Sequence, residues 1–193
     1  MDLSPQVLLG AYAQGAFPMT DQDGVTRWYT ADPRGVLPFE QFHIPRTLRQ
    51  LLKKDPSPFE IRINHDFEAT MRGCMTQRTD TWISDDLIRA YVRLHHLGFA
   101  HSVEAWKDGQ LAGGLYGVSL GAAFFGESMF HRVTDASKVA LVHLVHRLRE
   151  RGYELLDSQA TTDHLRKFGC VDIPADEYLK RLDRALQKAR SFV

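Results

Sequence analysis

The chain has 193 residues, 44% hydrophobic and 25% charged, with 24 basic against 24 acidic side chains. That suits one good-sized core with room for a small appendage, and zero formal net charge excludes a global basic field, so a polyanion site has to be a local patch. Two cysteines, Cys74 and Cys170, make neither a disulfide framework nor a CxxC pair. No apolar run approaches the ~20 residues of a membrane span, and "MDLSPQ" does not read as a signal peptide, so a soluble cytoplasmic protein is expected.

Ser4 followed by Pro5 predicts a helix from Pro5 to Gln14, stopped at Gly15. Proline, aspartate and glycine then punctuate the chain to Pro38, leaving room for a short strand at Arg27 to Thr30. Pro45 opens a helix over "PRTLRQLLKK", Phe59 to Asn64 alternates as a strand, and Asp66 caps a helix through Met75. Ser84 starts an amphipathic helix carrying Leu87, Ile88, Tyr91 and Leu94, ended by Gly98.

From His101 the pattern turns to strands: "HSVEAW", a turn at "KDG", "QLAGGLYGVS", a turn at "LG", and "AAFFGESMF". Thr134 is placed to cap a helix with Leu141, Leu144, Val145 and Leu148 on one face, closing at Gly152. A strand over "YELLDSQ", a short helix around His164 and a terminal helix from Ala175 to Ala189 complete the chain. An antiparallel meander between helices predicts an α+β (mixed α/β) fold.

Glu127 sits between a glycine and a serine inside the aromatic run "FFGESMF", where an unpaired buried carboxylate costs several kcal/mol. Either chemistry or a cationic partner is expected to hold it. Asp157 and Gln159 lie two apart at a strand end, on one side of the chain, where open sheets assemble their sites. If the strand of Glu127 neighbours theirs through a strand–helix–strand unit, the three residues share a cleft. Glutamine is no base, but its amide donates to an oxyanion or holds a substrate.

Arg46, Arg49 and Lys53 fall on one helix face, with Lys54 beside them and Leu48, Leu51 and Leu52 turned inward. Such a stripe suits a phosphate backbone or a solvated face. The glycines of "GGLYG" lack the setting of a phosphate loop and read instead as a strand bulge or close backbone approach. Trp82 in "TWIS" is a stacking platform for a base or a core side chain. The nine histidines have no metal-ligand spacing, and no Gly-x-Ser-x-Gly elbow is present.

The ordered string "GAFP", "DPRxVLP", "HIPRTLR", "TWIS", "LAGGLYGVSLGxxFFGESMF", "ASKVAL" and "LLDSQxxxDHLxxFG" resembles the leucyl/phenylalanyl-tRNA–protein transferases, from about Leu8 to Leu182. The resemblance implies an aminoacyltransferase. It would move leucine or phenylalanine, methionine less readily, from aminoacyl-tRNA to proteins beginning with arginine or lysine, marking them for N-end-rule degradation. It implies a GNAT-like acyltransferase domain over residues 34–193 behind a shortened amino-terminal region, residues 1–33. It also implies a monomer needing no cofactor, metal or membrane.

By motif, the resemblance assigns Asp157, Gln159 and Glu127 to catalysis, and Arg46, Arg49, Lys53 and Lys54 to tRNA binding. Trp82, Leu115, Phe124, Ser128, Met129 and Leu156 fall at or beside its aminoacyl and adenosine pocket. Met19 stands where relatives often carry tryptophan, and Gln50 interrupts the basic stripe, so weaker tRNA affinity is expected. Asp157 would assist deprotonation, directly or through Gln159, while Glu127 attracts the cationic acceptor; the two roles are interchangeable on sequence grounds. An acyl-CoA-dependent N-acyltransferase and a non-catalytic tRNA-binding module are the alternatives.

Overall fold

The computed structural model describes residues 1–77 and 79–193. Helix α1 (Pro5–Ala13) has proline at its first turn, where a missing N–H costs nothing. It is followed by β1 (Phe17–Thr20), β2 (Thr26–Tyr29) and β3 (Arg34–Val36). Next come α2 (Arg46–Leu52), β4 (Glu60–Ile63) and α3 (Phe67–Thr76), the last capped by the Asp66 carboxylate accepting from the Ala69 N–H. Helix α4 (Asp85–His96) is capped by the Ser84 hydroxyl on the Leu87 N–H and carries Asp85 and Asp86 in its first turn, where the helix dipole favours them.

Strands β5 (Ala100–Lys107), β6 (Gln110–Leu120) and β7 (Ala123–His131) form the expected meander. Asp108 and Gly109, both at positive φ, make the first turn. Helix α5 (Ala136–Glu150), β8 (Leu155–Gln159), α6 (Asp163–Arg166), β9 (Val171–Ile173) and α7 (Ala175–Leu186) close the chain.

The seven-stranded sheet runs β4-β5-β6-β7-β8-β3-β9, antiparallel throughout except for the parallel pair β7–β8. Strands β1 and β2 form a separate ribbon. One face of the large sheet packs α3, α4, α1 and α7 around Tyr12, Met71, Tyr91, Tyr116, Phe125 and Phe130. The other packs α5 over Leu115, Phe124, Leu144, Leu156 and Phe192. Each fully buried side chain of this size contributes roughly 1.5–3 kcal/mol. The fold is thus mixed α/β, with β7 and β8 joined through α5 as anticipated. Among the described residues, no helix is long and apolar enough to cross a membrane.

The structure differs from the sequence reading in four places. Strands β1, β3 and β9 were not foreseen, because three- and four-residue segments flanked by proline show no periodicity. Strand β3 obtains its hydrogen bonds from β8 and β9, both more than 100 residues downstream. Thr134 does not cap α5: Asp135 takes that position in a left-handed conformation (φ 69°), its carboxylate accepting from Lys138 Nζ at 2.6 Å.

Candidate active site

Parallel pairing between β7 and β8 covers only Ala123–Phe125 against Leu155–Asp157. Beyond Phe125 the two strands part: β7 runs on beside β6 to His131, and β8 turns away onto β3. The gap between them is the floor of a cleft of about 730 Å³, within the usual range for small-ligand sites.

Glu127 enters this cleft through a β-bulge. Tyr116 pairs with Ser128 and Gly117 with Gly126, so Glu127 is the extra residue on β7. The bulge is visible in the packing, since Phe125 and Phe130 share one face although they are five positions apart, a spacing that regular alternation would put on opposite faces. Gly117 is required opposite it, because a Cβ there would lie 2.3 Å from the Phe125 carbonyl oxygen and 2.4 Å from the Phe124 ring.

The Glu127 carboxyl, 9% exposed, has no ion-pair partner among the described residues. Neutral donors hold it instead. Tyr12 Oη donates to Oε1 at 2.6 Å and Gln159 Nε2 to the same oxygen at 2.9 Å, while Oε2 has only a long 3.4 Å contact from Tyr91 Oη. The Tyr12 and Tyr91 hydroxyls are themselves in contact. Burial, with the Asp157 charge adding to it, outweighs the hydrogen bond from Tyr12 and the Arg34 charge, pushing Glu127 up to about 8. Burial and the Glu127 charge hold both tyrosines well above the ordinary phenol, so they remain donors.

Asp157 is wholly buried and its oxygens are occupied. Arg34 Nε donates to Oδ1 at 3.0 Å and Nη2 to Oδ2 at 2.6 Å; Tyr178 Oη donates to Oδ2 at 2.8 Å. The Gln159 N–H donates to Oδ1 at 2.7 Å. Arg34 is equally enclosed, giving Nη1 to the Gly15 carbonyl at 2.8 Å and lying over the rings of Phe17 and Tyr178. Asp157 is therefore an anchor. Its bond to the Gln159 backbone steadies that residue at φ 64°, a conformation a non-glycine residue rarely adopts, and so aims the Gln159 amide at Glu127.

Trp82, Leu115, Ser128, Met129 and Leu156 line the cleft together with Glu127, Asp157 and Gln159. Phe17, Met19 and Trp82 stand at one end; Leu115, Leu141, Leu144 and Leu156 form an apolar recess beneath α5. Phe124 is fully buried, its ring stacked 5.2 Å from Phe192, in the same apolar cluster as Leu115, Leu141, Leu144 and Leu156 rather than on the cleft wall itself. Arg46, Arg49, Lys53 and Lys54 lie outside the cleft, exposed on and just after α2, and none forms an ion pair among the described residues. Among the described residues there is no cluster of three or more His, Cys, Asp or Glu able to hold a metal.

Sequence reasoning missed Tyr12, Tyr91 and Arg34, the groups that hydrogen-bond the two carboxylates. In the sequence Tyr91 is marked only by its place on the apolar face of α4. Arg34, inside "DPRxVLP", carried no local sign that its partner was 123 residues away.

The arrangement places a buried carboxyl, pushed up to about 8, in a cleft lined by aromatic and apolar side chains. The model of the leucyl/phenylalanyl-tRNA protein transferase family matches residues 36–183, and that of the corresponding N-terminal domain matches residues 1–32. The leucyl/phenylalanyl-tRNA–protein transferase of Rubrobacter xylanophilus is 51% identical over 193 residues, all of both chains. That of Paramagnetospirillum magneticum is 52% identical over 195 residues, covering 98% of this chain and 92% of the other. Among solved structures, a tandem GNAT protein from the clavulanic acid biosynthesis pathway is 16% identical, with a TM-score of 0.41 over 89% of this chain and 56% of that one.

Proposed function

The chain belongs to the leucyl/phenylalanyl-tRNA protein transferase family, and from that premise we propose that it transfers leucine or phenylalanine, methionine less readily, to proteins beginning with arginine or lysine. It is an aminoacyltransferase with aminoacyl-tRNA as donor and a protein as acceptor; family membership leaves no place for the acyl-CoA reading. It acts as a monomer in the cytoplasm, on acceptors that thereby become N-end-rule substrates, with residues 36–183 as the transferase domain and residues 1–32 as its companion.

The observation that carries the mechanism is the bulged, buried Glu127. The donor ester is already activated, so the acceptor amine has only to be positioned and neutral. An α-amino group titrates near ~7.7–8.0, close to Glu127 at about 8. A proton therefore passes between them at little cost. Oε1 already accepts two bonds, so Oε2 is the oxygen that takes it. The free amine attacks the ester carbonyl carbon, and the tetrahedral intermediate expels the ribose oxygen. That oxygen takes up the second amine proton, and Glu127 releases the first to solvent. We thus give Glu127 the proton-accepting role that the sequence reading gave Asp157, and Asp157 the role of positioning Gln159. The aminoacyl side chain occupies the recess of Leu115, Met129, Leu141, Leu144 and Leu156, and the terminal adenosine lies against Trp82 and Met19.

The test is transfer of radiolabelled leucine from Leu-tRNA to one protein made with arginine, lysine or alanine at its first position. Label should reach the first two and not the third. Equal labelling of all three would overturn the acceptor assignment, and no labelling by folded enzyme that binds tRNA would overturn transfer itself.

The exposed cations of α2 suit the tRNA backbone, whose binding is salt-dependent. Replacing Arg46 and Arg49 by glutamine should raise KM for Leu-tRNA about 10-fold at ~0.15 M salt, leave kcat alone, and flatten the log–log salt slope by about one per lost phosphate contact. An unchanged slope would assign these residues to an ordinary solvated face.

A further inference from the structure

Among the described residues two buried polar side-chain atoms lack a hydrogen-bond partner, the Tyr116 hydroxyl and His164 Nε2, and both residues line the cleft; of the two, Tyr116 is the one on the strand that pairs with that of Glu127. Tyr116, on β6 directly across the sheet from Ser128, is fully buried, and its hydroxyl has no hydrogen-bond partner among the described residues. It nevertheless lines the cleft. Buried polar atoms are almost always paired, and an orphan on the wall of a cavity points to something that arrives there.

The ring is not free to look elsewhere. It meets Tyr91 edge-on at 5.8 Å and Phe67 edge-on at 6.0 Å, both buried, and Tyr91 itself bonds toward Glu127. Packing alone thus fixes a ring that lines the same cleft as Glu127, which is the condition for a donor that needs no reorganisation when charge appears. Burial, with the Glu127 charge beside it, keeps this phenol well above its ordinary range, so it holds its proton and serves as a donor. Glu127 and Asp157 are acceptors, and the Tyr12 and Arg34 donors are spent on them.

We infer that Tyr116 is a further catalytic residue of the transfer reaction, its hydroxyl donating a hydrogen bond to the ester carbonyl oxygen of the aminoacyl donor. As the amine nitrogen bonds to the carbonyl carbon, the C=O π pair moves onto that oxygen. Tyr116 stabilises the resulting oxyanion without giving up its proton. When the carbonyl re-forms, the ester C–O bond breaks and the ribose oxygen leaves with a proton from the amine. The inference rests on the transferase reading and adds a residue to it.

Tyr116→Phe removes only the oxygen and preserves both edge contacts. Single-turnover and steady-state transfer from Leu-tRNA to an arginine-initiated acceptor would be measured beside thermal unfolding. The expected result is a kcat about 100-fold lower, KM for Leu-tRNA within about twofold, and a Tm equal to or above that of the wild type, since an unpaired buried hydroxyl has gone. A kcat within threefold of wild type would overturn the inference, and so would a lower Tm with losses shared between kcat and KM. Affinity for a non-reacting analogue with an amide in place of the ester provides a second readout. It should change by less than about threefold, because the neutral carbonyl gains little from the bond; a fall matching that in kcat would make Tyr116 a ground-state binding group only. Failure of the wild type to transfer would sink the parent reading, whereas an active wild type with an equally active variant sinks this inference alone.

Discussion

Glu127→Gln should yield a protein that is more stable than the wild type and nearly inactive. A carboxyl raised from 4.5 to about 8 on folding binds its proton more tightly in the native state. Its contribution is therefore fully present below pH 4.5 and is lost as pH rises to about 8, at about 1.4 kcal/mol for each pH unit in that window. Glutamine keeps the carbonyl that accepts from Tyr12 and abolishes the titration. The variant should thus gain on the order of 4–5 kcal/mol over wild type at pH 8 and little at pH 4.5. Transfer should fall by about 10²–10⁴ in kcat, the usual contribution of a positioned general base. Denaturant melts at pH 4.5, 6 and 8 beside initial transfer rates provide the check. A stability difference that does not grow with pH would remove the buried-carboxyl argument. A kcat reduced less than threefold, with a raised KM for the acceptor, would return Glu127 to the role of attracting the acceptor's charge.

Arg34→Met should cost about 3–5 kcal/mol, because it strands the Asp157 carboxylate in a fully buried position. In a chain of this length that lowers Tm by about 10 °C or more. Adding Asp157→Leu should recover most of that stability, since an apolar pair of similar volume is tolerated where a broken ion pair is not. Activity should not return. Without Asp157 the Gln159 backbone loses its anchor, and the amide no longer holds Oε1 of Glu127. A double variant that regains transfer along with stability would make the Arg34–Asp157 pair a matter of packing alone. One as unstable as Arg34→Met would show that the cost lies in the contacts of Arg34 to Gly15, Phe17 and Tyr178.

Much of the fold was legible in the sequence. Amphipathic spacing and caps located α3 and α4, the Asp108–Gly109 turn marked the meander, and a strand–helix–strand rhythm brought β7 beside β8. The candidate site was legible as a set of residues: Glu127, Gln159, Trp82, Leu115, Ser128, Met129 and Leu156 do share one cleft. Of the two ways the sequence offers to hold Glu127, chemistry or a cationic partner, the described residues supply no cation, its partners being two phenols and an amide.

By itself the sequence determined the mixed α/β class, the meander, the order of elements and the family, all of which are carried by local periodicity, turn chemistry and motif strings. Only the tertiary structure decided which carboxylate is free. Asp157 and Glu127 look alike in one dimension, and the residues that separate them come from distant places: Tyr12 on α1, Arg34 on β3 and Tyr91 on α4. A carboxylate's charge state depends on burial and on the donors within about 3 Å. Neither quantity is written in the residues that flank it.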